Sequence, residues 1–434
     1  MLPAEDRIVV GCIADDFTGA SDIGSFFVKG GFNTLLINGI PGMDFDPGES
    51  IEALVIALKT RSIEKEKAVA QSLKALYYLK GIGCRQIYFK YCSTFDSTPE
   101  GNIGPVADAL MDKTNSPYTV LCPSLPVNGR RVKDGELFVN GLPLHESPMK
   151  DHPVTPMWDH KLAQLMRPQS SYPCMEISAN DLRKGKERVD SLINQFAESV
   201  EGKAFYVIPD YFEDWHGASI AEFFADLPLI TGGSGLAEHL AAFHKKRNPY
   251  NSSHAERLPT GTRGRSIIFA GSCSTATQEQ VRVYKEGGGT SIELNALELK
   301  DDASYIFNLM KKVKDPASTD ILIHTSGNSD KEDRNQSTGL SQNEISGFYE
   351  SAMAELAAAA LEAGIHRIII AGGETSGAVT EKLGFQSFIL CDPVAPGVPV
   401  LIPVQNKSVR LVLKSGNFGR PDFFTKALAK TLEG

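Results

Sequence analysis

The chain has 434 residues and a formal net charge of −9 at pH 7. A single hydrophobic core stops growing at about 250–300 residues, so this length favours two domains. The acidic balance, without a long run of consecutive basic residues, provides no electrostatic footprint for nucleic acid or an anionic membrane surface.

Cysteine usage and the N-terminal sequence bear on the cellular compartment. The seven cysteines are scattered and never stand in Cys-x-x-Cys or Cys/His ligand spacing, which argues against a disulfide framework or a structural zinc site. The N-terminus lacks a basic segment followed by an apolar one, and no stretch approaches the roughly 20 apolar residues of a membrane span. We therefore expect a cytoplasmic protein without a membrane partner.

The first half of the chain alternates between apolar runs and helix-length segments. Five runs have the length and β-branched content of buried strands: 7–14, 34–38, 52–58, 86–91 and 118–122. This alternation predicts a parallel sheet wrapped by helices. The first run ends on Asp15 and Asp16, and the apolar spacing that follows predicts a helix that stops at Gly30.

The alternation is interrupted once before the first domain closes. Residues 123–175 are too long for an ordinary loop and too apolar for disorder, so they predict an insertion with a hairpin around 133–135. The pattern resumes at 204–210, closes at 227–243, and is followed by a charged, Pro- and Ser-containing stretch. We expect an N-terminal domain over 1–243, a linker over 244–265 and a C-terminal domain over 266–434.

The second half contains four apolar strands that each run into a turn of small residues. The segments are 266–281, 320–330, 367–384 and 409–424. Small residues let backbone N–H groups approach an anion, and helix N-termini favour negative charge. The turns at 271–274 and 372–375 therefore suggest phosphate binding, although well-formed turns of this kind also occur in α/β proteins without any ligand.

Two glycine-rich stretches resemble nucleotide motifs without fulfilling them. No G-x-G-x-x-G can be written through 232–237, and this stretch also suits a plain strand-to-helix turn. Residues 372–377 have the glycine spacing of a P-loop, but Ala378 and Val379 stand where Lys and Ser/Thr are required. A dehydrogenase and a Walker-type NTPase are therefore disfavoured.

A dense polar segment follows the fourth predicted strand. It holds one cation, several hydroxyls and a carboxylate, and its candidate binding residues are Lys90, Ser93, Thr94 and Asp96. Such a set suits a small polyhydroxylated acid, although a polar loop that caps a helix is the plain alternative. Arg61 also follows a predicted strand and could meet a substrate carboxylate, with a solvated arginine as the alternative.

Asp15 and Asp16 are the candidate catalytic residues. Successive side chains at a strand end point to opposite sides, so we expect one carboxylate to face the site and the other to turn toward the backbone of 18–20. The parity slightly favours Asp16 as the residue that faces the site, although both could simply cap the helix.

Motifs spread over nearly the whole chain resemble the four-carbon acid sugar kinase family. They are, in chain order, IADDFTGASD, KYCSTFDSTPEGNIGPV, PSLPVNGR, TGGSGLA, AGSCS, AGGETSG, PGVP and LKSGNFG. The KYCSTFDST form is similar to the 3-oxo-tetronate (3-dehydrotetronate) kinase branch rather than to the threonate or erythronate kinases.

The resemblance implies an ATP-dependent transfer of phosphate to the 4-hydroxyl of a four-carbon sugar acid. It also implies an acid-sugar site that includes Asp15 or Asp16, Arg61 and the 90–96 segment, with Mg²⁺ held largely by the ATP phosphates. The nucleotide positions that it implies are Ser272, Ser274, Gly372, Gly373, Glu374, Thr375 and Gly416. The expected partners are a sugar acid and ATP, and self-association into a homo-oligomer is compatible with the sequence.

Together the pattern and the resemblance predict an α/β protein. It should have two α/β domains with largely parallel sheets flanked by helices, and an active site in the cleft between them. Two alternatives stay open, a threonate or erythronate kinase on the same scaffold and a non-catalytic sensor of sugar acids.

Overall fold

The computed structural model describes residues 8–152, 155–248, 258–325 and 341–433. The chain divides into two compact units, Met1–Ala255 and Glu256–Gly434. We call them the N-terminal and C-terminal domains.

The N-terminal domain alternates strands and helices, as its apolar rhythm predicts. Its elements are β1 (Val10–Ala14), α1 (Phe17–Lys29), β2 (Thr34–Asn38), β3 (Ala53–Ala57), α2 (Lys65–Gly81), β4 (Gln86–Lys90), α3 (Ile103–Thr114), β5 (Tyr118–Cys122), β6 (Arg130–Lys133), β7 (Glu136–Val139), β8 (Leu142–Pro143), α4 (Leu162–Met166), β9 (Cys174–Ile177), α5 (Ala179–Arg183), α6 (Lys186–Ser199), β10 (Phe205–Pro209), α7 (Asp214–Phe224), β11 (Leu229–Gly232) and α8 (Ala237–Arg247).

Eight of these strands form one parallel sheet in the order β2-β3-β1-β4-β11-β5-β10-β9. Strands β1, β3, β4 and β10 are buried along their whole length. Near-continuous apolar strands of this kind need helices on both faces of the sheet. The chain order reverses between β1 and β4, which is the topological switch point where ligands of open α/β sheets bind.

The insertion and the end of this domain add two details to the predicted organisation. The expected hairpin is present, and β6, β7 and β8 form a separate antiparallel sheet. Helix α8 runs to Arg247, so the first residues that we expected in the linker are helical. Residues 249–257 of that linker lie outside the described residues.

The C-terminal domain repeats the same kind of architecture. Its elements are β12 (Ser266–Ala270), α9 (Thr275–Glu286), β13 (Thr290–Glu293), α10 (Ala296–Asp301), α11 (Ala303–Lys314), β14 (Ile321–His324), α12 (Gln342–Glu362), β15 (Arg367–Ala371), α13 (Gly373–Lys382), β16 (Ser387–Ala395), β17 (Val398–Pro403), β18 (Arg410–Lys414) and α14 (Phe423–Thr431).

Five strands of this domain are parallel in the order β13-β14-β12-β15-β18, and β17 and β16 extend the sheet in antiparallel fashion. The switch point of this sheet lies between β12 and β15. The turns at 271–274 and 372–375 and the turn after β18 therefore leave three neighbouring strands, β12, β15 and β18. The turn after β14 falls on 326–330, outside the described residues.

The structure confirms the expected fold class of two α/β domains with largely parallel, helix-flanked sheets. Among the described helices, none combines the length and the apolar character needed to cross a membrane.

Arg410 joins the segment before β12 to the C-terminal domain. Its guanidinium is buried and donates to the carbonyls of Pro259, Thr260, Lys407 and Val409 at 2.7–3.1 Å. We expect Arg410→Ala to lower the free energy of unfolding of this domain by roughly 2–4 kcal/mol, because several buried carbonyls lose a charged donor. Urea denaturation measures this change, and an unchanged midpoint and slope would contradict it.

Candidate active site

Asp15 directly follows β1 and forms a two-pronged ion pair with Arg61. The Asp15 amide donates to the carbonyl of Lys90, so its backbone still belongs to the sheet edge. Both Arg61 Nε and Arg61 Nη2 lie 2.8 Å from the carboxylate oxygens of Asp15. The Asp15 side chain is only 7% exposed. Asp15 is therefore a buried carboxylate whose charge is matched by a fixed guanidinium.

Asp16 is the N-cap of α1. The strand parity had slightly favoured the opposite arrangement, in which Asp15 turns toward the helix backbone. One carboxylate oxygen accepts from the Gly19 amide at 2.5 Å, and the other lies 2.9 Å from Arg61 Nη1. The reason is that α1 begins at Phe17, so the last non-helical residue before it must provide the cap. The Asp16 side chain is 32% exposed, and so it is the more accessible carboxylate of the two.

The loop that carries Arg61 is held in place by Asn102. The Asn102 amide nitrogen donates to the carbonyls of Thr60 and Ile63 at 2.8 Å each. Asn102 precedes α3 but makes no side-chain cap there, because its amide is used across the loop instead. This role of Asn102 was not predicted from the sequence, because an asparagine before a helix is typical of a simple cap.

Lys90 ends β4 beside the first turn of α1. Its side chain is buried, and Nζ donates to the Tyr91 carbonyl at 2.8 Å. A Cβ built on Gly19 would lie 3.1 Å from Nζ, so the ammonium group lies next to the helix that Asp16 caps. Burial raises the pKa of the Asp16 carboxyl, and the charges of Arg61 and Lys90 oppose this effect.

The remaining residues of the polar segment lie around this cluster. Thr94 donates to Asp96 at 2.6 Å, and the second oxygen of Asp96 lies 3.9 Å from Arg61 Nη1. A Cβ on Gly233 would be 3.4 Å from the Ser93 Cβ, which places Ser93 beside the 232–235 turn. The structure thus brings the predicted residues of the N-terminal domain to the carboxyl ends of β1, β3 and β4.

Asp22 and Ser234 also belong to this region, although the sequence analysis did not select them. The Ser234 hydroxyl donates to Asp22, which joins α1 to the 232–235 turn. Asp22 is buried, and this burial raises the pKa of its carboxyl while the charge of Lys90 opposes the shift. The IADDFTGASD motif offered a signal for Asp22, because its last aspartate lies on α1, six residues after Asp16.

In the C-terminal domain, five of the seven predicted nucleotide residues line one pocket, and Ser274 and Gly416 lie outside its lining. The pocket has a volume of about 240 Å³ and is lined by residues that include Ser272, Gly372, Gly373, Glu374 and Thr375. Gly372 caps α13 with a φ of 139°, a conformation that favours glycine. The N-terminus of α13 therefore opens on this pocket, where its free N–H groups favour an anion.

A hydroxyl network borders the same turn. Ser274 caps α9 and accepts from the Thr277 amide at 3.2 Å. The hydroxyls of Ser274 and Thr277 both donate to the Gly416 carbonyl, at 2.7 and 2.9 Å. A Cβ on Gly416 would overlap Ser272 Oγ, so this loop and the 271–274 turn approach each other closely. The 271–274, 372–375 and 416 positions thus lie together at one sheet edge.

The described residues offer few carboxylates for a metal ion. No cluster of three or more His, Cys, Asp or Glu side chains in the described part of the chain is arranged to hold one. Glu374 and Glu350 both line the pocket, and burial together with the charge of Glu374 raises the pKa of Glu350. Two carboxylates suit a magnesium ion whose other ligands are phosphate oxygens and water.

Both domains match known family models. A sugar-binding N-terminal domain model matches residues 10–240, and a nucleotide-binding C-terminal domain model matches residues 267–424.

Known proteins resemble the chain over nearly its whole length. A 3-oxo-tetronate kinase of Pectobacterium atrosepticum is 41% identical over 97% of this chain and 98% of the relative. A 3-oxo-tetronate kinase of Pseudomonas savastanoi is 38% identical over 99% of this chain and 98% of the relative. A crystal structure from Salmonella typhimurium LT2 has a TM-score of 0.89 at 39% identity, and it covers 97% of this chain and 99% of that one.

A pair of glycines tests how tightly the pocket is built. A Cβ at Gly271 would overlap Thr375 Oγ1, whereas a Cβ at Gly377 would meet nothing within 4 Å. We expect Gly271→Ala to lower the melting temperature by several degrees, since about 1–3 kcal/mol of overpacking falls on the start of α13. Gly377→Ala, inside α13, should leave the melting temperature equal or slightly higher. Equal melting temperatures for Gly271→Ala and the wild type would contradict this packing.

Proposed function

The chain belongs to the family of 3-oxo-tetronate kinases, and we propose that it transfers the γ-phosphate of ATP to the 4-hydroxyl of 3-oxo-tetronate. The observation that carries this proposal is the convergence of Asp15, Asp16, Arg61 and Lys90 at the switch point of the sugar-binding domain. Carboxylates held by fixed cations at this point can position a hydroxyl and bind an anionic sugar.

The sugar acid binds at the edge formed by Lys90, Ser93, Thr94 and Asp96. Arg61 uses three of the roughly five N–H groups of a guanidinium on Asp15 and Asp16, so the others remain for the substrate carboxylate. The hydroxyls of Ser93 and Thr94 and the carboxylate of Asp96 meet the oxygen atoms of the sugar. Arg61 therefore both organises the carboxylates and contacts the substrate.

Asp16 takes the proton of the attacking hydroxyl. The bond between O4 and the γ-phosphorus forms, the bond between that phosphorus and the bridging oxygen of ADP breaks, and the O4 proton passes to the Asp16 carboxylate. Asp16 is the more exposed of the two carboxylates, and its raised pKa makes it a better proton acceptor. Asp15 holds Arg61 and thereby fixes the orientation of Asp16.

ATP binds in the C-terminal domain. The backbone N–H groups at 372–375 and the hydroxyl of Ser272 contact the phosphates, and Ser274 and Gly416 border the 271–274 turn. Gly373 supports this assignment, because a Cβ there would meet nothing within 4 Å and the backbone is open to a ligand.

Magnesium would be coordinated mainly by the phosphates, and Glu374 and Glu350 are the pocket carboxylates that would hold it. When bound, Mg²⁺ neutralises charge on the transferred phosphate. A cation bound by Glu374 and Glu350 would offset the repulsion between their carboxylates and the phosphates. We place the reaction in the cytoplasm, where ATP is available and the seven cysteine thiols stay reduced.

Substrate turnover tests this function. We expect magnesium-dependent ADP release with 3-oxo-tetronate to exceed the release with threonate and erythronate, and NMR should find the phosphate on O4. A preference for threonate or erythronate, or phosphate on O2, would show that the branch is wrong. Binding of the acids without ADP release would indicate a sensor.

Separate Asp15→Asn and Asp16→Asn variants test the division of roles. Asp16→Asn should lower kcat by a factor of roughly 10² or more with a near-normal melting temperature, because an asparagine still caps a helix but accepts no proton. Asp15→Asn should lower the free energy of unfolding by about 3 kcal/mol, since it breaks a largely buried ion pair. Steady-state kinetics and thermal melts on the same preparations measure both effects. Near-normal kcat in both variants would rule out this motif as the source of the base.

A further inference from the structure

Lys414 is a buried lysine beside the predicted nucleotide positions. It ends β18, and its side chain is 1% exposed. Its Nζ donates to Thr277 Oγ1 at 2.9 Å, to the Gly416 carbonyl at 3.0 Å and to the Ser415 carbonyl at 3.1 Å. All three partners are neutral, so three hydrogen bonds hold the ammonium group without a compensating charge.

The elements packed around Lys414 provide no counter-ion. Among the described residues, no Asp or Glu forms an ion pair with Nζ, and the Phe423 ring lies 5.7 Å away. The charged groups on these elements are exposed or contact other partners. Glu279 pairs with Arg282 on α9, Asp422 pairs with Lys426 at the start of α14, and Lys382 of α13 pairs with Glu355. Arg410 donates to carbonyls, and the side chains of Glu374 and Glu381 are exposed. Burial alone lowers the pKa of Lys414 to about 7.

Lys90 provides an internal comparison. It also ends a strand, is buried, and donates to the carbonyl of the next residue. Its charge, however, acts on the carboxylates of Asp16 and Asp22. The buried lysine at the strand end therefore has carboxylates near it in the sugar-binding domain, whereas Lys414 in the nucleotide-binding domain has no carboxylate partner.

We propose that a nucleotide phosphate is the counter-ion of Lys414, so that nucleotide binding is coupled to the uptake of one proton by this lysine. This inference rests on the nucleotide site of the proposed function. One carbonyl links the ammonium group to that site. The Gly416 carbonyl accepts from Lys414 and also from Ser274 and Thr277, which border the 271–274 turn. Lys414 is thus a positioning residue that orders this carbonyl and places a positive charge beneath the phosphates.

The sign of the pH dependence follows from linkage. Below about pH 7 Lys414 is already charged in the free protein, and its charge is available to the phosphates. Above that pH the free lysine is neutral, and an arriving anion must draw a proton onto it. The affinity should therefore fall by up to about tenfold per pH unit above 7, until the pKa of the complex is reached.

Isothermal titration calorimetry of the full chain with magnesium ADP tests this coupling. At pH 8, titrations in buffers of different ionisation enthalpy should reveal the uptake of close to one proton by the wild type. Lys414→Met should bind at least tenfold more weakly at pH 7 and take up almost no proton. Its melting temperature should be no lower than that of the wild type, because the variant removes an uncompensated buried charge.

Lys426→Met is the matched control. It removes an exposed lysine from the same domain, and we expect wild-type affinity and wild-type proton uptake. The part of the pH profile that comes from ADP itself is shown by Lys414→Met, because Lys426→Met still carries Lys414. Wild-type binding without proton uptake would overturn this inference alone, even if Lys414→Met does not fold. An absence of magnesium ADP binding at every pH would overturn the proposed nucleotide site as well.

Discussion

Parallel strand pairing is the constraint on which both candidate sites depend. All carboxyl ends in a parallel sheet meet at one edge, where the following helices also begin. In the N-terminal domain this edge collects Asp15 after β1, Arg61 after β3 and Lys90 at the end of β4. In the C-terminal domain it collects the turns after β12 and β15 and the loop after β18. The helix N-termini add their own free N–H groups to each edge.

Charge distinguishes the two edges more clearly than shape does. The edge of the sugar-binding domain is internally compensated, because carboxylates and cations lie within contact of each other before any ligand arrives. The edge of the nucleotide-binding domain consists mainly of hydroxyls and backbone groups, with one buried ammonium that has no carboxylate partner and with Glu374 and Glu350 in the nearby pocket. A compensated cluster suits a substrate that must be oriented and deprotonated, whereas an uncompensated one suits a polyanion.

The sequence predicted most of the parallel strands and the first helix because their apolar periodicity is local, but it did not predict β9, β13 or the antiparallel pair β16 and β17. The strand ends were therefore found together with the residues that follow them, such as Arg61 and Lys90. Asn102, Asp22 and Lys414 were missed because their importance arises from contacts with distant parts of the chain. The roles of Asp15 and Asp16 also depend on the residue at which α1 begins. A start one residue earlier would make Asp15 the N-cap in place of Asp16.

The double contact of Asp16 has an evolutionary consequence under the proposed mechanism. Serine, threonine or asparagine would cap α1 about as well, but none of them accepts a proton as a carboxylate does. Glutamate would keep the charge, but it is not among the residues preferred at an N-cap. A replacement at position 16 must both cap the helix and accept a proton, so substitutions there should be far rarer than at an ordinary helix cap. A relative that has lost its activity should reveal itself first at this position, because a neutral cap preserves the fold after the chemistry is gone.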